Sequence, residues 1–125
     1  GTFAMNAPQT VLHRIMGVIE VRKRDRPADS YTTLLLDSGT QRIASKLREE
    51  AEELIEAATD TTCTSPKFVI HEAADLVYHM LVLLADCGVS LHQVEAELEN
   101  RFGVSGLAEK ASRGGSGAGH LPRKG

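Results

Sequence analysis

Apolar residues recur three and four positions apart over four long stretches of the chain, and that spacing predicts α-helices. In residues 8–24, Val11, Leu12, Ile15, Met16, Ile19 and Val21 share one side, and Pro27 within RKRDRPADS breaks the run. Ser30 is placed to cap a short helix, YTTLLLDSG, closed by Gly39. Thr40 then caps a second long helix over 41–59, which carries KLREEAEELIEAA. A Thr-rich connector, TDTTCTSPK, leads to a third long helix from about 67 to 87, stopped by Gly88. Ser90 caps a fourth, LHQVEAELENRF, ended by Gly103, and Ser105 opens a last short turn, GLAEKAS. Strand-like alternation of any length is missing, as is an internal repeat. The predicted fold class is all-α, a bundle of four to five helices.

The third long helix changes the picture, because from Leu76 onward it is apolar nearly all round. An outer helix of a small monomeric bundle needs only one apolar stripe. This helix is expected both at the centre of the fold and against a second copy of the chain, which predicts a homodimer or larger. Inside the same helix Glu72, Asp75 and His79 fall within roughly 60° of one another, one polar stripe on a greasy rod. A carboxylate buried without a partner costs several kcal/mol or takes up a proton, so these acids need a reason.

The second long helix supplies one. With Glu49 at zero, Glu53 lies near 40° and Glu50 near 100°, at the border of the face formed by Ile43, Ala44, Leu47, Ala51, Leu54, Ile55 and Ala58. Glu52 and Glu56 turn toward solvent. The two helices therefore read EExxE and ExxD, and packed together they would crowd four or five carboxyl groups. A hard divalent cation such as Mg2+ removes the repulsion, since it prefers oxygen ligands and keeps places for waters and substrate phosphates. The competing reading of EEAEE is a solvated face paired with Arg42, Lys46 and Arg48. Glu72 and Asp75 fit that reading poorly, with Val69, Ile70, Leu76 and Val77 around them. For His79 the competing reading is a half-buried ring bonded to a carbonyl or carboxylate. His13, His71, His92 and His120 lack zinc-like spacing, and Tyr31 and Tyr78 read as packing residues.

Composition narrows the class further. The chain has 125 residues, enough for one domain, with 42% hydrophobic residues but only 4% aromatic ones, which suits helix-on-helix packing. A net charge of −3 argues against a general nucleic-acid partner. Two cysteines, Cys63 and Cys87, without CxxC spacing make a disulfide scaffold unexpected and point to a reducing cytoplasm. No unbroken apolar run reaches the about 18 residues of a membrane span, and the N-terminus lacks a secretion-signal pattern. Residues 1–7, with GTFA before Met5, read as a disordered start or cloning remnant, 8–113 as the domain, and 114–125 as a disordered, Gly-rich basic tail.

The segments SYTTLLLDSGTQRIASKLREEAEELIEAA, HEAADLVYHMLVLLADCGVSLHQVEAELENR and GVSGLAEKASR together resemble the phosphoribosyl-ATP pyrophosphohydrolase family of MazG-like all-α enzymes. The likeness spans about residues 8–113. EExxE followed by ExxD belongs to the whole superfamily, whereas SYT, EAADLVYH and GLAEKASR narrow it to the histidine-pathway branch. The resemblance implies hydrolysis of 1-(5-phosphoribosyl)-ATP to 1-(5-phosphoribosyl)-AMP and pyrophosphate with Mg2+, for which Mn2+ could substitute. It places the metal-binding acids on Glu49, Glu50, Glu53, Glu72 and Asp75, with Glu50 and Glu53 as the catalytic pair and Glu50 favoured as proton acceptor. Lys46, Lys110, Arg113 and His79 are the expected substrate contacts. One departure is Arg48, where many relatives carry Gly. Two rivals stay open: a house-cleaning nucleoside triphosphate pyrophosphohydrolase of the same superfamily, and a non-catalytic helical dimerisation module.

Overall fold

The computed structural model describes residues 9–103. Lys110, Arg113, the turn expected from Ser105 and both chain ends lie outside the described residues. Within them the order is α1 (Val11–Asp25), α2 (Tyr31–Ser38), α3 (Thr40–Thr59), α4 (Lys67–Asp86) and α5 (Leu91–Phe102). No strand occurs among the described residues, so the all-α expectation holds and the helix ends shift by a few residues only.

Local chemistry explains most boundaries. Thr10 caps α1 by accepting from the His13 amide, and Arg26 leaves the helix in the left-handed region at φ 53°. Ser30 caps α2 as expected, accepting from the Thr33 amide at 3.2 Å, and the Arg22 guanidinium donates to the same hydroxyl at 3.0 Å. The expected cap at Thr40 is not there. Gly39, at φ 94°, both ends α2 and precedes α3, and Thr40 is already helical. Its hydroxyl instead donates to Asp86 at the far end of α4, 2.5 Å away, a tertiary bond that a local pattern cannot reveal.

Helix α4 closes in a Schellman motif. The Val89 amide donates to Leu84 O at 2.9 Å and the Gly88 amide to Ala85 O at 3.0 Å, with Gly88 at φ 75°. Lys23 of α1 donates to Ala85 O as well, satisfying a terminal carbonyl from outside the helix.

Among the described residues, those up to Leu91 form one compact unit and those from His92 belong to a second. In the first, α4 packs against α1, α2 and α3, most extensively against α3. Its core joins Met16 and Ile19, Leu35 and Leu36, Ile43, Leu81, Val82, Ala85 and Leu91. In the second, α5 is an amphipathic helix on which Arg101 donates to Glu97 one turn back at 2.8 Å.

The apolar stripe expected on α3 is buried only at Ile43; Ile55 is 55% exposed. On α4, Phe68 and Ile70 are exposed too, at 54% and 64%. Counted as a window rather than an unbroken run, α4 is long and apolar enough to cross a membrane by length and composition. Glu72, Asp75 and His79 interrupt it, so it holds no unbroken apolar run of that length, and Leu81, Val82 and Ala85 pack in the core.

Candidate active site

Helix α3 presents Glu49, Glu50 and Glu53 within two turns, and α4 presents Glu72 and Asp75 across from it. Because α3 and α4 share the largest helix contact, these acids meet. Oxygens of Glu50, Glu53 and Glu72 all lie within 4.8 Å of one another, and atoms of His71, Glu72 and Asp75 do the same. Glu72 belongs to both groups. Glu49 is turned aside: its carboxylate accepts from Lys46 at 3.3 Å and lies outside the convergent set.

Burial makes the grouping costly. Glu50 is only 6% exposed, and its Oε1 has no hydrogen-bond partner; Oε1 of Glu72 is likewise buried and unpartnered. Loss of water pushes the Glu50 carboxyl above the ordinary carboxylate range, and the Asp75 and Glu53 charges push it further, against the opposing pull of His79 and Lys46. Glu72 is raised in the same way, first by lost solvation and then by the Glu53 charge beside it. On the Lys46 side the ammonium is raised, chiefly by its hydrogen bond to Glu49.

These residues fit a hard cation. Oxygens bound to one Mg2+ at about 2.1 Å stand roughly 3 to 4.2 Å apart, so the three converging carboxylates need only side-chain adjustment to share an ion. The two orphaned oxygens are the acceptors such an ion would satisfy.

His79 is 5% exposed and its ring nitrogens are both used within the protein. Nδ1 donates to the Asp75 carbonyl at 2.9 Å, since a carbonyl can only accept, and Nε2 pairs with the Tyr31 hydroxyl at 3.2 Å. Nδ1 also stands 3.9 Å from Glu50 Oε2. This geometry has the carbonyl bond of the competing reading. The Tyr78 hydroxyl pairs with Thr32 Oγ1, and the two tyrosine rings stack with centroids 6.3 Å apart. Tyr31 and Thr32 therefore tie α2 to the acid helix, a role with no local signal at a sequence separation of 48 residues. His71, given no role from spacing, sits 3.4 Å from Asp75 Oδ2.

Two hollows flank the acids. One, of about 480 Å³, is lined by Glu53 and Glu72 with Ala57, Cys63 and Phe68. The other lies beyond Lys46, between α2 and α3. Arg48, the departure from the expected Gly, is exposed and forms no ion pair with Glu52.

Among the described residues the fold is all-α, with carboxylates from two helices converging, which is consistent with the MazG-like class. The sequence profile of the phosphoribosyl-ATP pyrophosphohydrolase family matches residues 12–102. Among curated relatives, a phosphoribosyl-ATP pyrophosphatase of Rhodopirellula baltica is 50% identical over 102 residues, covering 82% of this chain and 85% of its own. One of Rhodobacter capsulatus is 44% identical over 84% of this chain and 99% of its own. One of Methylococcus capsulatus is 45% identical over 82% and 95%. The chain belongs to the phosphoribosyl-ATP pyrophosphohydrolase family.

Proposed function

We propose that the chain hydrolyses 1-(5-phosphoribosyl)-ATP to 1-(5-phosphoribosyl)-AMP and pyrophosphate, the second step of histidine biosynthesis. The observation that carries this reading is the convergence of Glu50, Glu53 and Glu72 within 4.8 Å, two of them with a buried oxygen left unpartnered. Glu50, Glu53, Glu72 and Asp75 would hold a divalent cation, Mg2+ in the first place, with Glu49 as the further candidate ligand. When bound, the ion neutralises phosphate oxygens and lowers the pKa of a water. Glu50, whose carboxyl is already tuned upward, accepts a proton from the attacking water as the bond to the departing pyrophosphate breaks. Lys46 faces the negative charge of the polyphosphate, and Lys110 and Arg113 add to it from outside the described residues. His79 acts as a positioning residue, fixing the Asp75 backbone and holding Tyr31 against the site.

A panel measuring pyrophosphate release with Mg2+ tests this. Phosphoribosyl-ATP should exceed ATP and the common dNTPs by about 100-fold or more in kcat/KM, the scale on which a site discriminates by hydrogen-bonded groups. Preference for a dNTP would move the chain to a house-cleaning role.

The domain covers residues 8–113 in this reading and works as a homodimer. Ile55, Phe68 and Ile70 are exposed on the two helices that build the site, and large apolar side chains left in water there are ones that a second copy would cover. Light scattering should give the mass of two chains for the parent protein and of one for Ile70→Asp. A monomeric parent would remove the proposal. Cys63 and Cys87 are free thiols, in keeping with a reducing cytoplasm as the compartment.

A further inference from the structure

Beyond the acids, a cavity of about 340 Å³ opens between α2 and α3, lined by Tyr31, Leu34, Leu35, Ser38, Arg42 and Lys46. Its walls are mixed. Leu34, Leu35 and the Tyr31 ring give it an apolar side, while Arg42 and Lys46, one helical turn apart, give it two cations. Lys46 is already engaged by Glu49 at 3.3 Å, and the Ser38 hydroxyl donates to Leu35 O at 2.7 Å. Arg42 is different: it is exposed at the cavity, and among the described residues its guanidinium has neither hydrogen bond nor ion pair. The carboxylate of Asp37 accepts from Arg26 at 2.5 Å, and that of Asp86 from Thr40. The cavity is also joined to the acid site, through Lys46 to Glu49 and through the Tyr31 hydroxyl to His79.

We infer that this cavity receives the phosphoribosyl arm of the substrate, with Arg42 binding the arm's 5′-phosphate. The inference rests on the proposed activity and adds the group by which the site tells its substrate from ATP. Position along α3 favours the arm over the terminal phosphates. At 1.5 Å rise per residue, Arg42 stands about 12 Å from Glu50 along the helix. The β- and γ-phosphates are separated from the scissile bond by at most a bridging oxygen or two, within reach of Lys46. The arm's phosphate lies beyond a ribose, an adenine and a second ribose. The lining agrees, since bare pyrophosphate would call for polar walls throughout, whereas a sugar presents faces that pack on Leu34 and on the Tyr31 ring. Arg is suited to the task because its fork donates two hydrogen bonds to one phosphate. The cavity further lies toward the N-terminal end of α3, where the helix dipole favours negative charge.

Binding of two products that differ only in the arm tests the inference directly. Calorimetry should find phosphoribosyl-AMP bound more tightly than AMP by the parent protein, about 10- to 100-fold, as for a charged hydrogen-bonding pair. Arg42→Ala should abolish that difference, Arg42→Lys should keep part of it, and AMP affinity should stay the same in all three. In kinetics, Arg42→Ala should raise KM for phosphoribosyl-ATP by a similar factor while leaving kcat and the slow hydrolysis of ATP in place. Equal affinity of the parent for the two products would overturn the inference, as would an Arg42→Ala variant that keeps the preference or loses both substrates alike. Failure of the activity itself reads differently: the parent would then release no pyrophosphate from phosphoribosyl-ATP, whatever the binding arms report.

Discussion

Glu50→Gln is expected to lower kcat by about 1,000-fold or more and, in the metal-free protein, to raise the melting temperature. The activity loss combines two functions in one carboxylate. Removing a general base costs about 100- to 10,000-fold, and the amide is a poorer cation ligand than the carboxylate. The gain in stability follows from the same burial. Glu50 is 6% exposed, carries an unpartnered Oε1, and faces the charges of Asp75 and Glu53. An amide of the same shape carries no charge to desolvate, and its NH2 group can donate to those carboxylates. Relief of such sites typically stabilises by about 0.5–2 kcal/mol, which for a domain of this size is a few degrees in Tm. Mg2+ should then stabilise the parent more than the variant. Activity assays with thermal melts, each with and without Mg2+, check both halves. A variant that is less stable than the parent without metal would mean that Glu50 is held by a partner and not strained.

How far the fold and site could be read in advance depends on how local each determinant is. Helix periodicity, the Ser30 cap and the Gly88 stop act within a few residues, and all three are where spacing puts them. Glu50 at the border of the apolar face is equally a property of one helix, and it is buried as that angle implies. What escaped the pattern is tertiary. The Thr40 hydroxyl goes to Asp86 instead of capping α3, because α4 brings a carboxylate to it. The Nε2 of His79 pairs with the Tyr31 hydroxyl, 48 residues earlier, through the packing of α2 on α4. Glu49 sits in the same motif as Glu50, yet a lysine one turn back holds it. Motif spacing states which side chains share a face; competition among neighbours decides which of them are free to act. The guanidinium of Arg42, without a hydrogen bond or ion pair among the described residues, is the converse case, since only the tertiary structure marks it out.

The second large effect joins pH and metal in one measurement. Glu50 and Glu72 both have folded-state pKa values above the ordinary carboxylate value. For a raised carboxyl, the folded state binds the proton more tightly than the unfolded chain does, so stability contributed by protonation is complete below the unfolded value of about 4.3 and is lost as pH rises through the higher folded value. Without metal, these two groups therefore make the protein less stable at pH 7 than their protonated forms do at the acid end of that window. Their ionised forms are also the ones that bind a dication, and protons and metal compete for the same oxygens. Saturating Mg2+ at pH 7, about 100 times its dissociation constant, should restore about 2.7 kcal/mol, or roughly 10–20 °C in Tm for a domain near 100 residues. The increment should shrink as pH falls toward 4.5, and the acid limb of activity should shift to lower pH as Mg2+ is raised. An increment that is the same at pH 4.5 and pH 7 would place the cation on groups that do not titrate there, away from Glu50 and Glu72. An acid limb that ignores Mg2+ would say the same of the catalytic ion, because a ligand set that must lose protons to bind cannot be indifferent to their concentration.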